Sequence, residues 1–265
     1  MAVVDGHVHV SDCWYEPAET LLYHMDQNGI DHAVLVQMRG QTDNSYLFQC
    51  VRRYPGRFAP VVIVDTDSPT ACDELKRLAE QGASGVRLRP FHRSPGEDPL
   101  AIWRTAAQLG LTVDCGGSAK LFGSEEFAHL VESLPDMTIV LEHLGANARP
   151  DANDEERAAR LRALELARFP NVYLKIGGLS EFCQRAMPPR GPFPFQEPIP
   201  PLLERAIEAF GARRMMWGSN FPLVLGNEGY RASLRFPLQR FESRSQEERD
   251  LIFGGVALSL FPVRG

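Results

Sequence analysis

The sequence lacks any long apolar run: none of its 265 residues falls in a stretch near the ~18 needed to cross a bilayer. The opening residues, MAVVDGHVHV, carry no basic segment and are interrupted by Asp5 and His7, so no signal peptide is expected. Cysteine is sparse. The five (Cys13, Cys50, Cys72, Cys115 and Cys183) are scattered without C-x-x-C spacing. That excludes a disulfide framework and a thiolate zinc site, and it fits the reduced thiols of a cytoplasmic protein. Positive charge is also short. Lys and Arg number 28 against 34 Asp and Glu, a net charge of −6. The chain therefore has no general attraction for nucleic acid or an anionic membrane. No glycine-rich phosphate loop follows the first apolar segment, which disfavours a dinucleotide-binding fold. What remains is ordinary for a globule: 44% apolar and 23% charged residues, neither disordered nor collagen-like.

Length divided by a ~150-residue domain gives about 1.8, which suits two small domains or one barrel of ~250 residues. Periodicity favours the barrel. Eight β-branched apolar runs occur: Val3–Val8, Ala33–Gln37, Phe58–Val64, Gly85–Arg89, Leu111–Cys115, Thr138–His143, Val172–Ile176 and Met215–Trp217. Their starts lie about 30 residues apart, the size of one βα unit. The runs are continuous rather than alternating, as in strands buried on both faces. Helical grammar fills the gaps. Ser68, Pro69 and Gly82 mark one helix, and Asp98, Pro99 and Gly110 another. Ser245 with Glu248 forms a capping box. The expected fold is a single (β/α)₈ barrel over residues 1–265, with an open doubly wound sheet as the alternative. Two segments break the rhythm: Gly145–Asp154 and the proline-rich Leu179–Pro201. The second follows the seventh strand and is expected on the catalytic rim, touching substrate or a neighbouring subunit.

Chemistry-bearing residues fall at strand ends. His7 and His9 close the first run and share one face, which aims both imidazoles into the barrel mouth. His143 closes the sixth run. Three imidazoles with an open position are the usual catalytic zinc set, although each alone also suits a structural role. His24, His32 and His129 are expected to be exposed. Asn220, after the eighth run, can orient a water or substrate oxygen or simply occupy a turn, but its amide is no general base. Arg87 and Arg89 share a face of the fourth strand, and Lys175 lies on the seventh. Each needs an anion: a substrate group, or an internal partner among Asp65, Asp114 and Glu142. Basic residues near the mouth (His92, Arg93, Arg185 and Arg190 with these three) outnumber nearby acids, so a small anionic substrate is expected.

The ordered motifs Val4-Asp-Gly-His-Val-His9, Gly85-Val-Arg-Leu88, Leu141-Glu-His-Leu-Gly145, Asn171-Val-Tyr-Leu-Lys-Ile-Gly-Gly178 and Met216-Trp-Gly-Ser-Asn-Phe-Pro222 resemble the amidohydrolase-2 family over nearly the whole chain. More narrowly, the sequence is similar to its lactonase-like branch: fuconolactonases, pyrone-dicarboxylate lactonase and sulfomuconolactonase. The resemblance implies a barrel whose site lies at the strand C-termini. It implies hydrolysis by water activated through a divalent metal, zinc being expected, or without metal as in some lactonases. His7, His9 and His143 take the metal or polarising roles, and Arg87 and Lys175 the substrate contacts; Arg89, sharing the strand face of Arg87, is expected to bind substrate as well. Three positions depart from the family. Asn220 stands where aspartate is common. The fifth strand ends Val113-Asp-Cys-Gly-Gly117 without a histidine. Gly255-Val-Ala257 stands where asparagine often precedes alanine. The missing histidine argues against a binuclear site and a decarboxylase.

The leading expectation is therefore a lactone hydrolase, with one divalent ion at most, acting on a small carboxylated or sugar-derived molecule. The alternatives are a metal-dependent decarboxylase of an aromatic or unsaturated acid and a catalytically degenerate binding barrel. Asn220→Asp is expected to keep activity, and self-association is left open.

Overall fold

Short runs of branched apolar side chains become eight parallel strands: β1 (Val4–Val8), β2 (His32–Val36), β3 (Phe58–Val62), β4 (Gly85–Leu88), β5 (Thr112–Cys115), β6 (Ile139–Leu141), β7 (Val172–Ile176) and β8 (Met215–Trp217). They hydrogen-bond in chain order, β1 through β8, in one sheet. The computed structural model describes residues 2–145, 153–189, 191, 194–195 and 202–263. Helices such as Ala18–Asn28, Ala71–Glu80, Glu125–Ser133 and Tyr230–Arg240 connect the strands, so the architecture is the expected (β/α)₈ barrel. Among the described residues no helix is long and apolar enough to cross a membrane. All five cysteines are free thiols.

Strand alternation divides the core. Val34, Val36, Ala59, Val61, Val140 and Met216 pack together inside the barrel, and Val256, Ala257 and Phe261 of the C-terminal segment join them. The opposite faces, with Leu35, Phe58, Val86, Ile139 and Trp217, pack under the helices. Phe261 is 1% exposed, so truncating it to alanine costs about 3–5 kcal/mol.

The barrel seam lies between β1 and the chain beyond β8. His9 N donates to Phe221 O at 2.7 Å, and Asn220 N donates to His7 O at 2.9 Å. Gly218 is required at this approach: a Cβ there would sit 2.7 Å from the His7 Cβ and 2.8 Å from its backbone nitrogen. A β-bulge interrupts β1, where pairing with β2 shifts register between Asp5 and Val8. Val4 belongs to the interior cluster and Val8 to the helix-facing one. Without the bulge, residues 4 and 8 would share a face.

Several local expectations need correction. The sixth strand stops at Leu141, and His143 opens a 3₁₀ turn, His143–Gly145. His143 and Leu144 are both left-handed, with φ of 52° and 54°. The fourth strand stops at Leu88, so Arg89 lies just beyond it. The helices marked by Ser68 and Asp98 begin later, at Ala71 and Ala101, without a side-chain cap. Their oxygens instead bind Thr70 N and Leu100 N in the preceding turns. The Ser245–Glu248 capping box is present. His24 and His32 are half-buried, and only His129 of the three is exposed.

Candidate active site

Inward-facing residues at the C-terminal ends of β1, β4, β5, β6 and β7 converge on one polar cluster. His7 comes from β1 and His9 from just beyond its end, Arg87 from β4, Asp114 from β5, Glu142 and His143 from just beyond β6, and Lys175 from β7. The His7 ring centroid lies 4.8 Å from that of His9 and 5.0 Å from that of His143, both edge-on.

Charged groups are paired inside. Arg87 donates from Nε and Nη2 to the two oxygens of Glu142, each at 2.7 Å, and from Nη1 to Gln37 O at 3.1 Å. Burial raises the Glu142 carboxyl, but the Arg87 guanidinium outweighs it and holds the group down at about 2. Lys175 donates to Asp114 Oδ2 at 2.6 Å, and its Nζ lies 3.2 Å from His7 Nδ1. Both charged members of this triad are shut from water. The internal-pair alternative is thus the one seen for Arg87 and Lys175. Lys175 lies beneath His7 with its protons engaged, not at an open surface.

The three imidazoles differ. Burial, then the Arg87 charge, pushes His9 down to about 3. Its Nδ1–H donates to Val36 O at 2.7 Å, leaving the Nε2 lone pair to act as a ligand. Burial and Lys175 hold His7 well below the imidazole range. Its Nδ1 faces Lys175 Nζ and, at 3.6 Å, Asp114 Oδ2, while Nε2 is buried and has no hydrogen-bond partner among the described residues. For His143, burial acts downward, but the Glu181 carboxylate overcomes it and raises the pKa. His143 Nδ1–H donates to Glu181 at 3.0 and 3.2 Å.

A divalent ion fits this donor set. His7, Glu142 and His143 each offer a ligand atom within 4.8 Å of one another. His9 and His143 show the support typical of metal-bound histidines, Nδ1–H fixed by a carbonyl or carboxylate. His7 Nε2 supplies the remaining motive: a buried polar atom that lacks a partner among the described residues.

Sequence reading missed Glu181, which begins the proline-rich segment and reaches back to the site. Asn220 Nδ2 donates to Glu181 Oε1 at 3.2 Å, so the amide orients a carboxylate. Gly177 leaves room for that carboxylate, since a Cβ there would run into it. Tyr15 was also missed. It stacks on His9 with centroids 5.7 Å apart and planes 24° apart. Behind the strand, Asp5 accepts from Ser219 N at 2.7 Å and from the Tyr230 hydroxyl at 2.8 Å. Of the remaining proline-rich segment, Phe182 and Phe195 are buried in the core, and Arg185 bridges Phe195. Arg190, Phe193 and residues 196–201 lie outside the described residues.

A cavity of about 340 Å³ opens beside the cluster, lined among others by Arg39, Asp65, Asp67, Arg87, Arg89 and Glu142. Its lining carries three arginines and His92 against three carboxylates. The charges are unevenly used, however. Arg87 is taken by Glu142, while Arg89 Nε is buried without a partner among the described residues. Burial and the nearby Arg39 and Arg87 charges lower the Arg89 pKa, so an anion there is stabilising.

Residues 4–263 match the amidohydrolase family. An L-fucono-1,5-lactonase of Burkholderia ambifaria is 27% identical over 98% of this chain and 95% of its own length. An amidohydrolase from Burkholderia multivorans with bound zinc superposes with a TM-score of 0.79 at 22% identity, covering 99% of this chain and 100% of its own. A 5-carboxyvanillate decarboxylase from Sphingomonas paucimobilis superposes with a TM-score of 0.63 at 16% identity, covering 99% of each chain.

Proposed function

The chain belongs to the amidohydrolase family, and from that premise we propose that it is a lactone hydrolase acting on a small carboxylated or sugar-derived substrate. The observation that carries the reading is the convergence of His7, Glu142 and His143 beside an arginine-lined cavity. The similarity to an L-fucono-1,5-lactonase points the same way.

His7, His9 and His143, with Glu142 at hand, would hold one divalent ion, most simply zinc. Bound there, it supplies Lewis acidity, lowering the pKa of water toward about 7 and polarising a carbonyl. The chain's own groups do the rest. Glu181 fixes the His143 ring through Nδ1–H, which leaves Nε2 to face the ion. Asn220 orients Glu181. Arg89, assisted by Arg39, receives a substrate carboxylate, and Arg87 positions Glu142. Lys175 and Asp114 hold the His7 ring in place from its Nδ1 side. A lactone's alkoxide or enolate leaving group makes a smaller demand for protonation than an amide nitrogen. That suits a site with an amide at position 220. The free thiols support a cytoplasmic location.

The test joins metal analysis of the purified protein to assays on lactones and aromatic acids. We expect about one divalent ion per chain, reduced in His7→Ala, and ring opening that consumes water. Carbon dioxide release without ring opening would establish the lyase instead. Two ions per chain would overturn the mononuclear assignment.

A further inference from the structure

Of the eight large apolar side chains left exposed among the described residues, five follow strand C-termini and so belong to the barrel mouth: Trp14, Phe91, Met187, Leu223 and Leu225. Four of these five follow β1, β7 and β8, which are neighbours around the seam. The cavity residues Arg39, Asp65, Asp67 and Arg89 follow β2, β3 and β4. The mouth is therefore divided, with a charged sector on one side of the histidines and an apolar sector on the other.

Trp14 is the extreme case at 76% exposure, yet its backbone is fastened. The buried Ser11 hydroxyl accepts from Cys13 N at 3.1 Å and Trp14 N at 3.3 Å, and Ser11 N closes the turn on Glu16 O at 3.0 Å. The next residue, Tyr15, is stacked on His9. A bound turn thus carries an indole into water one residue from the reacting centre. Met187, 69% exposed, and Leu223 stand in the same sector. Single exposed apolar residues are ordinary, but several gathered beside a site mark a binding surface.

We propose that the substrate is amphipathic: a carboxylated lactone bearing an aryl or alkyl substituent, its anionic group held by Arg89 and Arg39 and its apolar substituent lying on Trp14. This rests on the hydrolase reading above. Trp14 is then a specificity-determining residue whose contribution appears only with substituted substrates.

The probes are a butyrolactone carboxylate, its phenyl and hexyl derivatives, and the matching cyclic ethers, which cannot be opened. Wild-type protein should favour the hexyl over the unsubstituted lactone by about tenfold in kcat/KM, as expected for partial burial of a short chain. Trp14→Ala should bring that ratio toward one, and Trp14→Phe should restore most of it. Binding has its own readout. Of three tryptophans, Trp103 and Trp217 are fully buried, so a solvent-sensitive emission reports Trp14. The hexyl ether should shift that emission to the blue and bind more tightly than the plain ether. Equal turnover of all three lactones, or a preference that survives Trp14→Ala, would overturn the inference and leave the hydrolase reading standing. No turnover of any lactone would overturn that reading, and the ether titration would still decide the Trp14 surface. A change of oligomeric mass in Trp14→Ala without any hexyl preference would assign the patch to an interface between copies and overturn the proposal.

Discussion

Lys175 donates to Asp114 across 2.6 Å, and neither side chain is more than 2% exposed. Removing one charge strands the other in a low-dielectric interior. Lys175→Met should therefore destabilise the protein by about 3–5 kcal/mol, seen as a lowered urea midpoint. Lys175→Met combined with Asp114→Asn should recover part of that loss, since no lone charge remains. Additive losses would show that the two act independently.

The Arg87–Glu142 pair predicts an acid limb. The Glu142 carboxyl falls from its usual 4.5 to about 2, so its contribution is present above 4.5 and is lost as pH falls through about 2. The shift corresponds to about 3 kcal/mol. Asp5 acts oppositely. Burial raises it from 3.8 to about 6, against its hydrogen bonds, so the protein gains stability as pH falls across that interval. Urea unfolding at about pH 7 and about pH 3 should show a shallower acid loss in Glu142→Gln than in wild type.

His143 should titrate above the ordinary imidazole value of 6.5 because Glu181 stabilises its charged form. Its stabilisation is complete below 6.5 and fades as pH rises through the folded value. In chelator-treated protein, the proton NMR titration of His143 should move downward in Glu181→Gln. In the loaded enzyme the same variant should lose about 10–100-fold in activity, the range for a group that orients a metal ligand. An unchanged titration would remove Glu181 from this role.

Asn220 faces Glu181, and that changes what an aspartate would do there. Two carboxylates so close do not ionise independently, and one retains a proton at neutral pH. Asn220→Asp should therefore lower kcat/KM about tenfold at pH 7, with a shifted pH profile, rather than keep it as the sequence alone suggests. Asn220→Ala should lose less than His143→Ala. It should also lose about 1–2 kcal/mol of stability, because φ of 61° disfavours a residue with a plain Cβ. Wild-type activity in Asn220→Asp would show that Glu181 is not coupled to this position.

The barrel was readable because strands buried on both faces require unbroken apolar runs, and eight such runs are visible in one dimension. The histidines were readable because they end those runs. Which acid meets which base was not. Arg87 stands level with Asp114 in the β4–β5 register, yet it pairs with Glu142, one strand further on. Glu181 lies 38 residues from His143, and no local pattern links them. The left-handed turn at His143 and Leu144 leaves no mark in hydropathy, so the sixth strand seemed longer than it is. A Gly-Gly pair after β7 was the available hint, since Gly177 vacates the space that the Glu181 carboxylate takes.

The bulge in β1 gives one five-residue strand two allegiances. Asp5 reaches outward to Tyr230 in the helical shell, while His7, two residues later, turns inward to the site. A shell substitution such as Tyr230→Phe therefore tugs on the histidine from behind, through a backbone that cannot slip without reversing its faces. Adding or removing one residue between Asp5 and His7 would turn one of the two away from its partners, so β1 fixes the shell and the site in a single register.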